Sequence, residues 1–441
     1  MNILRKHDMS RRNRAKSFLG AAVTLSVVTV SFLSMSLLRG QDGRVLTRDL
    51  ADALRREDSE AIAKLVAAAR TTLGDEAGVP ERPDDFQVIP VTAKPLSTAE
   101  AKPLLERIPA QIEKLRWWKI GLDPTKLDHA LREPAAIIGC CVRVHRANGA
   151  ASDRALELAR DAGDFLVWAQ TQGEVGVFPF PTATGVTKDN AFVAAERYLK
   201  QAKRDGRLDQ VVRNGWAIDD VGDGGLQFDN GEAGVAMFEL YEATREKKYL
   251  DSAVRAADWA ASRPLVTNWN YNSFSVWLLA RAFAVTGERK YLEAATKKAR
   301  LGVIPGQLID GPHAGRWLDG HNARPPYHYI MLRSLVALAT VMPQDGPERP
   351  EVMRSLSLGL KARNKDFVER GASNKDHALQ VLLVVNREFA ADTAFLVETQ
   401  SLAALDALTK LISEEARRGK NPTGPRAWGM FLSDALSREE R

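Results

Sequence analysis

Beyond residue 100 the apolar positions recur at i, i+3, i+4 and i+7, and strict alternation is scarce, so the pattern predicts helix, short turn, helix along nearly the whole chain. An internal repeat makes this explicit. LYEATREKKYLDSA from Leu240 aligns with AFAVTGERKYLEAA from Ala282 at a shift of 42 residues, matching Tyr241 with Phe283, Thr244 with Thr286, Glu246 with Glu288, and Lys248-Tyr249-Leu250 with Lys290-Tyr291-Leu292. Looser copies begin at Val144, where Asp164-Phe165 matches Asp258-Trp259, and at Ser334. One hairpin cannot bury its own apolar face, so helix pairs at a fixed period predict an open solenoid or a closed toroid. The stripe Phe238, Tyr241, Tyr249 and Trp259 falls at helical spacing and is assigned to the core.

The polar connectors are long in only one place per repeat. Turns within a hairpin are brief, whereas AIDDVGDGGLQFDNGE (217–232), SRPLVTNWNYNS (262–273) and DGPHAGRWLDGHNARPPYH (310–328) each precede the first helix of a pair. Parallel stacking brings all three loops to one end, where function concentrates on a rigid scaffold.

Charge changes the picture at the N-terminus. The chain has 62 Lys+Arg and 56 Asp+Glu; seven of the bases and one acid lie in residues 1–40, so the remaining 55 of each cancel. A folded part with no net basic excess argues against a nucleic-acid partner. Behind the basic segment, Phe18 to Leu38 is free of charge for 21 residues, which is long enough to cross a bilayer. Residues 1–40 are therefore expected to be an uncleaved anchor or a cleaved signal, the membrane partner through this segment, and the location extracytoplasmic, periplasmic or cell-surface, anchored or secreted. Residues 41–99 are expected to form a stalk with a short helix, 100–415 the toroid, and 416–441 a C-terminal tail. Ser97-Thr98-Ala99-Glu100 is a capping box that opens the domain. The two cysteines, Cys140 and Cys141, are adjacent within an apolar run and are read as small core groups.

About 300 residues of helical hairpins, Leu104 to Ser413, with glycine-, aromatic- and acid-rich loops at one rim, resemble the six-hairpin (α/α) toroids. That superfamily includes glycosidases, uronyl hydrolases, uronate lyases and sugar epimerases. The resemblance implies an all-α toroid and a carbohydrate-active enzyme on extracytoplasmic glycans, uronate-containing ones among them, acting by β-elimination or hydrolysis. The alternative is a non-catalytic toroid that binds glycans or protein partners. A glycan or oligosaccharide is the expected partner.

The three loops hold the candidate chemistry. The first carries Asp219, Asp220, Asp223 and Asp229, dense enough for a glycosidase carboxylate or for calcium. Asp229 is the acid if the reaction is hydrolysis, and Asp219, Asp220 and Asp223 are the candidate calcium ligands; helix capping and solvated turn residues are the competing reading. In the second, Asn268, Trp269, Asn270 and Tyr271 set amides beside rings that suit sugar faces. The third offers Trp317, Asp319, His321, Asn322, Arg324, Tyr327 and His328. His321 or Tyr271 is the expected base and His328 a further catalytic candidate. Arg324 or Asn270 would hold a substrate carboxylate, with Trp317 and Tyr327 lining the substrate. HExxH is absent and His321 and His328 do not share i,i+4 spacing, so a zinc site is unsupported. The prediction is that these groups converge on one pocket.

Overall fold

The computed structural model describes residues 41–73, 93–115, 131–147, 149–171, 204, 224–318, 322–369 and 374–437. Their helices are α1 (Gln41–Arg55), α2 (Ser59–Leu73), α3 (Thr98–Glu106), α4 (Ile108–Leu115), α5 (Arg132–Arg146), α6 (Ser152–Thr171), α7 (Gly224–Thr244), α8 (Lys247–Ser262), α9 (Trp269–Thr286), α10 (Arg289–Gly302), α11 (Pro325–Val341), α12 (Arg349–Glu369), α13 (Lys375–Glu388), α14 (Thr393–Glu398), α15 (Ser401–Arg417) and α16 (Pro425–Ser437). Among the described residues the only β pairing is an isolated bridge between Gln307 and Trp317.

Six of these helices close a ring. α5 packs on α7, α7 on α9, α9 on α11, α11 on α13, α13 on α16, and α16 returns to α5. Each has an outer partner: α6, α8, α10, α12, α15 and, for α16, the N-terminal α3. The described helices thus form an (α/α) toroid of six hairpins, the sixth assembled from α3 and α16. The inner helices run in one direction. Down α5 and α7, Arg132 meets Asp229, Arg143 meets Glu239 and Arg146 meets Glu242, in increasing order on both. The starts of the inner helices lie at one end.

The 42-residue repeat is a structural unit. Tyr249 donates to Asp164 at 2.9 Å, and Tyr291 donates to Asp258 at 2.8 Å, so each outer helix is pinned to the one before it by its own copy of the same bond. Lys248 and Lys290 add ion pairs to the same two carboxylates. At both hairpin turns the threonine hydroxyl accepts the backbone N–H two residues on, Thr244 from Glu246 and Thr286 from Glu288. Gly287 then ends α9 at φ 73°, a left-handed position that glycine takes without strain.

Two expected boundaries differ. Residues placed in a C-terminal tail include α16, which buries Ala427, Trp428, Phe431, Leu432 and Ala435 against the ring; its short length and single small apolar face hide this role in the sequence. The stalk region contains a hairpin, α1 with α2, and α2 rests on the turn Ile304–Gly306. The capping box at Ser97 forms as predicted, with Glu100 also bound by Arg417 of α15. The anchor or signal segment, residues 1–40, lies outside the described residues, among which no helix is long and apolar enough to cross a membrane.

Candidate functional site in the ring interior

The inner helices are apolar with isolated charges, and the ring brings those charges together. α7 contributes Glu232, Glu239 and Glu242; α9 contributes Trp277 and Arg281; α11 contributes Arg333; α13 contributes Asp376, His377 and Gln380; and α16 contributes Arg426. Arg333 pairs with Glu232 at 2.8 Å, reaches Gln380 at 3.3 Å and lies over the Trp277 ring at 3.7 Å. About two turns deeper on α7, Glu239 is clamped between Arg426 at 2.6 Å and Arg143 at 3.2 Å. Gly139 makes room for this clamp: a Cβ there would stand 2.8 Å from the Arg426 guanidinium.

Burial and charge compete at each group. Burial raises Glu232, but Arg333, Arg426 and His377 together hold its carboxyl below the usual range, so it stands ionised. Glu239 is likewise raised by burial and lowered further by Arg426, Arg143 and Arg281, to about 2. Burial is also the main influence on His377; with the Arg333 charge it outweighs Asp376 and Glu232 and holds the imidazole below its ordinary value. A neutral imidazole can accept a proton. His377 sits in the first turn of α13, where the Asn374 side chain caps the helix by accepting its N–H at 3.1 Å, and its Nδ1 has no hydrogen-bond partner. Asp376 beside it accepts from the Gly424 N–H at 3.2 Å, tying α13 to the start of α16.

Above this layer, at the loop end, Arg132 pairs with Asp229 at 2.6 Å and lies over the Phe228 ring at 3.5 Å, and Phe228 contacts Phe274. Asp229 therefore reaches the rim, but from within α7 rather than from a loop. Gly224–Glu232 is helical because Gly231 and Gly234 let α7 approach α9; a Cβ at Gly231 would meet Phe274 at 2.8 Å.

The second and third loops meet through side-chain amides. The Asn270 amide donates to Asn268 at 2.8 Å and to Asn322 at 3.0 Å, and Asn270 is 1% exposed. It is a structural knot between connectors rather than a free carboxylate ligand. Three further candidates turn into the protein. Trp269 packs on Gly306, Trp317 donates to the Val303 carbonyl at 2.8 Å, and His328 faces the Gly359 carbonyl of α12 at 2.9 Å with Trp317 against its ring. His328 is wholly buried and held far below its ordinary pKa by burial and the Arg363 charge. All three are buried, because their helix and turn direct them outward, toward the outer helices. Tyr271, Arg324 and Tyr327 remain half-buried in the first turns of α9 and α11, with Arg324 5.0 Å from the Tyr327 ring. His321, Asp319, Asp219, Asp220 and Asp223 lie outside the described residues. Among the described residues no group of three His, Cys, Asp or Glu could hold a metal.

No protein-family model and no curated protein matches the chain. Solved structures do. A glycosyl hydrolase family 88 protein from Bacteroides vulgatus superimposes with TM-score 0.47 and 10% identity, covering 78% of this chain and 99% of that one. A polysaccharide lyase superimposes with TM-score 0.47 and 11% identity, covering 78% of this chain and 97% of that one. The identities are too low to transfer any residue's role, and the site stands on its own geometry.

The sequence pattern does not single out Glu232, Arg333, His377, Asp376 and Arg426 as a group. The legible signal was a lone charge inside an otherwise apolar helix, as Arg333 is within PPYHYIMLRSLVALATV; such a charge has to be partnered when the helix is buried.

Proposed function

We propose that the chain is a carbohydrate-active enzyme that acts on uronate-containing glycans by β-elimination. The observation that carries this reading is the half-buried His377 imidazole, standing beside the Glu232–Arg333 pair at the loop end of a closed helical ring. Elimination needs a neutral base to take the C5 proton and a cation to stabilise the enediolate that develops on the uronate carboxylate. His377 is the base, and Arg132 at the mouth and Arg333 in the layer below it are the cations. Phe228, Tyr271 and Tyr327 offer faces and a hydroxyl to the sugar. Hydrolysis through Glu232 fits less well, because a carboxyl held ionised by two guanidinium groups does not donate a proton at neutral pH.

The basic segment and the charge-free stretch Phe18 to Leu38 support an extracytoplasmic site of action, membrane-anchored or secreted. A panel of acidic and neutral polysaccharides, followed by ultraviolet absorbance of unsaturated uronates and by reducing ends, tests the reading. Absorbance that grows with reducing ends on an acidic glycan is expected. Reducing ends without absorbance would replace elimination by hydrolysis, and neither signal on any glycan would leave the ring a binder.

A further inference from the structure

The end of the ring opposite the loops holds a cavity of about 260 Å³. Its wall comes from the later turns of the inner helices and includes six arginines (Arg143, Arg146, Arg281, Arg333, Arg387 and Arg426) with only Glu239 and Glu388 as acids. Two further carboxylates touch the arginines from behind. Glu242 is shared by Arg146 and Arg281, and Glu232 takes Arg333. Glu239 is likewise shared by two arginines, and Glu388 pairs with Arg387. Six guanidinium charges thus face four carboxylates. Asp376, one layer above, adds a fifth negative charge that acts on Arg333 and Arg426, so the arginines exceed the carboxylates by one.

Uncompensated charge inside a ring is costly unless a counter-ion joins it. Burial holds Arg143 and Arg333 below the ordinary guanidinium value despite their glutamate partners, whereas Arg426, between Glu239 and Glu232, is held above it. Val235, Trp277, Val384 and Met430 give the cavity apolar sides, so the positive field acts at short range in a partly dry space. At ~30 Å³ per water the cavity has room for roughly eight waters, the bulk of a small organic acid or a phosphate with its shell.

We propose that this distal cavity binds a small multi-oxygen anion, a phosphate, sulfate or carboxylate, between Arg143, Arg146 and Arg281. The guanidinium fork matches the planar or tetrahedral oxygen pairs of these groups. The inference does not rest on the glycan reading, because Arg143, Arg146 and Arg281 take no part in it.

Calorimetric titration of the full chain with inorganic phosphate, sulfate and malonate, at ionic strength held constant with sodium chloride, tests it. Saturable binding of at least one anion is expected. Phosphate or sulfate alone indicates an ester or inorganic ligand, and malonate alone a carboxylate. The double variant R146Q/R281Q should bind about tenfold more weakly or worse, the loss of one or more charge-assisted bonds. In crystals of the unaltered chain, soaked selenate should give an anomalous peak within hydrogen-bond reach of Arg143 or Arg281. That readout decides the matter should the double variant fail to fold. No saturable heat for any of the three, unchanged affinity in a folded double variant, or selenate bound only elsewhere overturns the proposal.

Discussion

Single buried charges set the character of this molecule. Glu239 carries two arginines, and its carboxyl is held at about 2 against an ordinary 4.5. A depressed carboxyl stabilises the fold fully above the unfolded value and loses that contribution as pH falls toward the folded one. The shift corresponds to something on the order of 3 kcal/mol. Glu239→Gln should therefore cost about 3–5 kcal/mol at pH 7, because it strands Arg143 and Arg426 inside the ring. Denaturant unfolding should show this cost shrinking between pH 4.5 and 2; a variant as stable as the parent at pH 7 would show that the clamp contributes nothing. Individual residues were the hardest thing to read from the sequence. His328, Trp269 and Trp317 had the chemistry expected of a sugar site, yet the helix faces on which they sit point to the outer wall. His377 and Glu232 drew less notice because their partners lie far away in the chain and meet only when the ring closes.

At the scale of elements, helix approach is decided by small residues. Gly231 and Gly234 on α7 sit against Phe274 and Leu278 of α9, where added Cβ atoms would lie 2.8 and 2.7 Å from their neighbours. Gly231→Ala should destabilise by about 1–3 kcal/mol through forced separation of α7 and α9, despite alanine's better helix propensity. Its near neighbour at Gly231 includes the Phe274 carbonyl, which is backbone and cannot swing away. A melting temperature equal to or above the parent's would contradict this packing account. The same glycines explain why GDGGLQFDNGE looks like a loop in sequence but is helical from Gly224. Turn-forming residues signal local freedom, and tertiary contact overrode it here. The hairpins themselves were legible, since the tyrosine, lysine and threonine of each repeat make the same bonds in both copies.

At the scale of the whole molecule, closure depends on both chain ends. α16 joins α5 and α13 on the inside and α3 on the outside. Burying Trp428, Phe431 and Leu432 is worth roughly 5–9 kcal/mol, comparable with the ~5–15 kcal/mol of an ordinary domain's net stability. A chain ending at Gly419 should lose its cooperative melting transition; retention of a single sharp transition would mean that five hairpins suffice. Sequence periodicity could announce the hairpins but not this closure, because α16 has no repeat partner of its own and pairs with a helix about 320 residues earlier. The closed ring also gives the charges a shared interior, and there the central claim is most directly tested. On whichever acidic glycan the chain cleaves, steady-state turnover of His377→Gln should fall by about two to four orders of magnitude while its melting temperature stays at or above the parent's, since the wild-type Nδ1 is buried without a partner. Turnover within a few-fold of the parent in a folded His377→Gln chain would contradict the account and move the chemistry out of the ring interior.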